Sequence, residues 1–281
     1  MAQAGAIETL ATGYGLIEGP RVDAQGQLYF SDVQRGGVYR RAPDGRIETV
    51  VPRRRGVGGI ALHVDGGLVI SGRNVCHVRE GTTRVLFDLE DAGGFNDLFT
   101  DALGRVLVGC LRVDPFGDPE QGRPGELYRV DAEAKATALY GDVQLTNGIG
   151  FSPDGGRLYH SDTARNQVIV HEVADDGSCH GRRVFARSPR GLPDGLAVDE
   201  AGGVWIAAYG GGCVVRFAPD GRVDREMDVP ARSVTSLCFG GADRRDLYVV
   251  SADNTEDAAA GGSIFRTRVD VAGLEAPPAR I

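Results

Sequence analysis

The chain has 281 residues, of which 42 are Gly and 13 Pro, so about one residue in five is a turn former and long helices are excluded as the main architecture. No apolar run approaches the ~18 residues that a membrane helix needs, and a net charge of −8 gives no general attraction for nucleic acid or anionic lipid. The cysteines (Cys76, Cys110, Cys179, Cys213 and Cys238) are odd in number and widely spaced, which argues against a disulfide framework or a zinc knuckle. With no leader-like start in MAQAGAIETLATGYG, a reducing, cytoplasmic setting is expected.

In chain order, residues 6–13 read as an isolated strand. A strand–turn–strand unit then recurs at 19–32, 59–72, 96–109, 147–162, 194–208 and 235–251. Gly26, Gly66, Gly104, Gly155 and Gly202 stand in the tight turns of the first five copies, where positive φ is needed; Asp243 takes that place in the sixth. A third strand follows at 36–45, 125–133, 166–177, 212–221 and 262–270, and a weaker fourth appears in RIETVVP, ATALYGD, RRVFARS and RVDREMDVP. The longest insertion is 112–125; the alanines 258–260 and the Pro277-Pro278 tail read as loop and frayed end. The repeat predicts an all-β, six-bladed β-propeller with four antiparallel strands per blade, one domain over 1–281, and residues 6–13 completing the sixth blade.

Aligning the copies on the end of their first strand puts Glu18, Gly58, Asn96, Asn147, Asp194 and Thr235 at one equivalent position, 40, 38, 51, 47 and 41 residues apart. In a propeller that position faces one mouth of the central channel, so Glu18, Asn96, Asn147 and Asp194 are expected to converge. Each alone is a plausible strand cap; four of six together make a hard-oxygen donor set suited to a divalent cation such as Ca²⁺, Mg²⁺ or Mn²⁺. A buried carboxylate without a partner costs several kcal/mol, and a cation offsets that cost directly.

Other machinery is absent from the sequence: there is no G-x-S-x-G elbow and no H-E-x-x-H helix, and His63, His77, His160, His171 and His180 lack ligand spacing. Trp205 reads as core, and the glycines 210–212 precede a strand, which disfavours a phosphate loop. The arginine runs 53–55, 182–183 and 244–245 read as solvated loop charge.

The segments Ile17-Glu18-Gly19-Pro20, Phe95-Asn96-Asp97, Thr146-Asn147-Gly148 with Phe151-Ser152-Pro153-Asp154-Gly155, and Pro193-Asp194-Gly195 resemble the regucalcin, gluconolactonase and luciferin-regenerating-enzyme family over residues 14–270. The resemblance implies a six-bladed propeller holding one divalent cation (Ca²⁺ first, with Mg²⁺, Mn²⁺ or Zn²⁺ as alternatives) and hydrolysing sugar lactones and related esters. It makes Glu18, Asn147 and Asp194 the metal ligands, Asp194 also the general base, and Asn96 a substrate-side residue. Two positions depart from the animal pattern. A sugar-contacting Arg is replaced by Gly94, and a substrate-contacting Glu falls at Asp114, so Arg112 and Asp114 in the insertion become candidate substrate contacts. The expected partner is a small lactone, with no nucleic acid or membrane, on a monomer or weak dimer. The alternatives are a non-catalytic calcium- or protein-binding propeller and a propeller enzyme of other chemistry, isomerase-like or strictosidine-synthase-like.

Overall fold

A computed structural model describes residues 5–118 and 122–281 and is almost entirely β. Its strands form six four-stranded antiparallel sheets. The inner strands (Ile17–Val22, Ile60–Leu62, Gly94–Thr100, Thr146–Phe151, Leu192–Val198 and Val234–Gly240) pack in ring order, and the last meets the first. That closed ring of sheets is the predicted propeller. Second strands such as Val106–Leu111 and Val204–Tyr209 are covered on both faces and are almost wholly apolar, whereas outer strands such as Thr82–Phe87 carry their polar residues outward.

Closure follows expectation: Glu8–Tyr14 pairs antiparallel with Gly262–Arg268 and becomes the fourth strand of the sixth blade. In the second blade the two outer strands, which the sequence pattern did not pick out, are Val75–Arg79 and Thr82–Phe87.

Two expectations are corrected. In the sixth hairpin the residue equivalent to the turn glycines is Arg244, not Asp243. Arg244 has φ 53° and donates its N–H to the Gly241 carbonyl, as Gly26 does to Asp23 and Gly104 to Asp101. Its Nε bonds the Gly273 carbonyl at 2.9 Å, a tertiary anchor that holds a non-glycine residue in this conformation. The tail, too, is not frayed. Leu274 N donates to Val198 O at 2.9 Å, Ala279 N to Leu62 O at 2.7 Å and Arg280 N to Gly104 O at 2.8 Å, so the segment runs from blade five to blades two and three. Ala279 and Ile281 are buried in the core cluster of blades two and three. The insertion at 112–125 includes 119–121, which lie outside the described residues. Among the described residues no helix is long and apolar enough to cross a membrane.

The propeller channel and its candidate active site

Five of the six inner strands carry one extra residue against their partner. Glu18 pairs with Ser31 but Arg21 with Tyr29; Phe95 pairs with Cys110 but Leu98 with Val108; Thr146, Pro193 and Val234 begin similar irregularities. A β-bulge turns the local backbone and re-aims side chains. Asn96, Asn147 and Asp194 sit in these bulges and Glu18 at the edge of one. The second blade has no bulge, and Gly58 stands there instead.

The residue after Glu18, Gly58, Asn147 and Asp194 is a glycine where the next blade presses in. A Cβ on Gly59 would lie 2.3 Å from Leu98 N, on Gly148 2.2 Å from Leu196 N, and on Gly195 2.2 Å from Ser236 Oγ. Hydroxyls then pin the backbone just ahead of three of these positions: Thr235 Oγ1 donates to Ile17 O at 2.5 Å, Ser31 Oγ to Val57 O at 2.6 Å and Thr163 Oγ1 to Pro193 O at 2.7 Å. Glu18 and Asp194 are thus each set by two blades.

A hydrogen-bond chain crosses three blades here. Asn96 Nδ2 donates to Asn147 Oδ1 and to Thr146 O, both at 2.8 Å, and Asn147 Nδ2 donates to Thr163 Oγ1 at 2.9 Å. Asn147 therefore presents its oxygen on the Asn96 side. The Asn96 oxygen lies in the notch left by Gly58, where an added Cβ would be 2.1 Å from it. Behind Thr146, buried His160 bonds Thr146 Oγ1 at 2.7 Å and Tyr140 Oη at 2.9 Å, and burial pulls its pKa down to about 3.

Glu18 and Asp194 are buried and lie within electrostatic reach of each other. Burial, then the charges of Asp194 and Asp97, push the Glu18 carboxyl well above the usual range; burial, then Asp97, does the same to Asp194. Among the described residues Glu18 accepts only the Gly19 N–H, at 3.3 Å, and Asp194 Oδ1 is buried with no hydrogen-bond partner. The contrast with other buried carboxylates is sharp. Asp199 accepts from Ala201 N, Gly203 N, Trp205 Nε1 and Arg216 Nε, and Asp32 from Gly15 N and Arg35 N. Among the described residues no group of three or more His, Cys, Asp or Glu side chains is gathered to hold a metal, so a cation held here needs an amide oxygen beside the two carboxylates. Asn147 carries such an oxygen and is followed by Gly148, which packs against Gly195 beside Asp194; the chemistry of this donor set, with its orphaned oxygen, fits a hard divalent cation.

One group escaped the sequence reading. Asp97, quoted in a motif but given no role, is buried, and burial lifts its pKa to about 6 against the opposing charge of Arg21. Arg21 is itself buried, donating to Pro20 O at 2.8 Å and Leu98 O at 3.0 Å over the Phe99 ring. The signal for Asp97 was its position, which is glycine in four other blades (Gly19, Gly59, Gly148 and Gly195).

The insertion residues stand apart from this cluster. The Arg112 guanidinium is bound by Asp91 at 2.8 Å and Glu126 at 3.0 Å, which anchors the base of the loop, and exposed Asp114 accepts the Phe116 N–H. A cavity of about 1270 Å³ opens at the opposite mouth; Arg21, Phe99, Phe151, Leu196 and Phe239 line it, and Glu18, Asn96, Asn147 and Asp194 do not.

With this geometry in place, comparison with known proteins identifies the family. The profile described as "SMP-30/Gluconolactonase/LRE-like region" matches residues 16–253. The chain belongs to that family. Among its relatives, a 6-deoxy-6-sulfogluconolactonase of Pseudomonas putida is 36% identical over 89% of each chain, and a pentonolactonase of Haloferax volcanii is 33% identical over 90% of each. In fold it is similar to a luciferin-regenerating enzyme (TM-score 0.89, 22% identity, 99% of this chain and 100% of that one). It is also similar to a calcium-binding protein, regucalcin, of Agrobacterium tumefaciens (TM-score 0.85, 26% identity, 99% and 98%).

Proposed function

We propose that this family member is a divalent-metal-dependent hydrolase that opens a sugar lactone at the channel mouth bearing Glu18, Asn147 and Asp194. The observation that carries the reading is Asp194 Oδ1, a buried carboxylate oxygen without a donor beside a second under-bonded carboxylate, Glu18. Relatives named as lactonases of sulfogluconic, pentonic and arabinonic lactones support the reaction class, and the regucalcin described as calcium-binding puts Ca²⁺ first among the cations.

Glu18, Asn147 and Asp194 would hold the ion. When bound, it supplies Lewis-acid polarisation of the lactone carbonyl and offsets the buried negative charge. Asp194 takes a proton from the attacking water as the new carbon–oxygen bond forms. It returns that proton to the ring oxygen as the carbonyl carbon–ring oxygen bond breaks, leaving a hydroxy acid. Asn96 orients Asn147 through its Nδ2 and faces the substrate side, while Arg112 and Asp114 shape the rim through the insertion. No redox partner is needed.

The test is a pH-indicator assay over a panel of aldonolactones, using stripped protein with Ca²⁺, Mg²⁺, Mn²⁺ or Zn²⁺ added back. Turnover should appear only with metal, and Glu18→Gln or Asp194→Asn should lower kcat/KM by about 100-fold or more. Undiminished turnover in stripped protein or in either variant refutes the proposal. Metal binding without opening of any lactone would favour the non-catalytic calcium-binding reading.

A further inference from the structure

The donor ring has one gap, and it lies in the second blade. That blade presents Gly58 where four others carry Glu18, Asn96, Asn147 and Asp194 and the sixth carries Thr235, and Gly59 follows it, so the wall beside Asn96 is backbone. The loops of this blade at the same mouth are rich in arginine. Residues 53–56 lead into Gly58, and residues 71–74 follow the second strand, Leu68–Ile70.

These two loops are fastened to each other and to the strand bearing Asn96. Arg54 Nη2 donates to Asn74 O and Asn74 Oδ1, both at 2.8 Å, and so rivets one loop to the other. Gly72 and Phe95 exchange backbone hydrogen bonds of 2.7 and 3.1 Å. A Cβ on Gly72 would be 3.5 Å from Arg55 O, and one on Gly94 would be 3.7 Å from the Arg73 Cα. Arg55 and Arg73 thus spring from adjoining backbone, one residue beyond the bridge to Phe95 and beside the notch that holds the Asn96 amide.

Both side chains are exposed, and among the described residues neither has an ion pair or hydrogen bond. Several other arginines at this mouth are engaged: Arg112 and Arg123 by Asp91 and Glu126, Arg165 by Asp142 and Asp162, Arg190 by Glu226 and Asp228. Arg53 and Arg232 are exposed and unpaired among the described residues, but Arg53 lies against Gly36 of the first blade and Arg232 against Gly212 of the fifth. Two neighbouring, uncompensated guanidinium groups make a local positive field, and their forked donors match the oxygens of sulfonate, phosphate or carboxylate. The reacting carbonyl lies at the axis, so an anionic substituent held by these rim arginines belongs to the end of the substrate farthest from it.

We propose that Arg55 and Arg73 form a subsite for an anionic group on the far end of the lactone, making the protein selective for charged over neutral aldonolactones. This inference rests on the lactonase reading given above. The experiment compares glucono-1,5-lactone with 6-phosphoglucono-1,5-lactone and with a glucaric monolactone, whose second acid group is a carboxylate, on metal-loaded wild type and on Arg55→Ala/Arg73→Ala. The wild type should favour the anionic lactones about tenfold or more in kcat/KM, mainly through KM. The double variant should lower the anionic-to-neutral ratio by a similar factor, and added salt should erode it. Relative rates of the phosphate and carboxylate lactones show which oxyanion the subsite fits better.

An anionic-to-neutral ratio unchanged in the double variant overturns the subsite while leaving the lactonase reading intact. If no lactone is opened with any metal, the lactonase reading fails. Calorimetric binding of 6-phosphogluconate then decides the subsite alone: binding lost in the double variant supports it, and binding equal to wild type, or absent from both proteins, overturns it.

Discussion

Glu18, Asp97 and Asp194 differ from the other buried carboxylates in their surroundings rather than their depth. Asp199 and Asp32 are met by backbone, indole or guanidinium N–H groups, and their burial serves the fold. The channel acids are left short of donors, so burial, with neighbouring carboxylate charge at Glu18 and Asp194, raises their pKa values. For Asp97 the sign is definite. Its carboxyl titrates near 6 in the folded chain and near 4 when unfolded, so it supports folding below about pH 4 and that support is lost as pH rises through 6. In metal-stripped protein, Asp97→Asn should therefore stabilise the fold at pH 8 by up to about 3 kcal/mol and show no such gain at pH 4, as read from urea melts. A gain independent of pH would contradict the burial argument. At this scale the four polar positions were legible because they repeat in register. The hold of Asn96 on Asn147 was not, because it depends on a notch at Gly58, 38 residues away along the chain. The ion pairs that occupy Arg112 likewise involve Asp91 and Glu126, which no local pattern singles out.

Among the elements, the closing strand and the tail have opposite histories. Glu8–Tyr14 has a strand-like pattern and a vacant place in a counted repeat, so arithmetic alone assigned it. Tyr14 then packs edge-on against Phe30 at 5.0 Å and Tyr39 at 5.4 Å, tying blade six to blade one. Removing residues 1–14 should expose the edge of Gly262–Arg268 and lower the Tm by more than about 10 °C, with aggregation on heating. A melt within two or three degrees of the full chain, to take roughly the effect of a 1 kcal/mol change, would show that the ring closes without it. The tail misled because Pro277 and Pro278 look like loop while its anchors, Leu62 O, Gly104 O and Val198 O, are contributed by three different blades. The outer strands of blade two stayed hidden for a related reason: Thr82–Phe87 shows solvent a run of exposed side chains and offers little apolar pattern to read.

For the whole molecule, the opposing charges set how stability should respond to metal and acid. A cation bound by the native channel and not by the unfolded chain adds about 2.7 kcal/mol when present at 100 times its Kd. Calcium should accordingly raise the Tm of stripped protein, a chelator should reverse the rise, and Asp194→Asn should abolish it; a Tm indifferent to every divalent cation would remove the metal from the proposal. Acid acts elsewhere as well. His160 and His171 are held neutral, with pKa values pulled by burial to about 3 and about 4, so the stability they lend is present above about pH 6.5 and is lost as pH falls below it.

The extra residue in five inner strands also bears on how such a chain can change length. Deleting one amino acid there would leave the downstream residues paired as before, Arg21 still opposite Tyr29, and would flatten only the kink that re-aims the polar side chains. The bulge residue is thus spent on aim rather than on register, whereas the long excursion between Leu111 and Gly125 adds length in a connection and leaves both flanking strands paired.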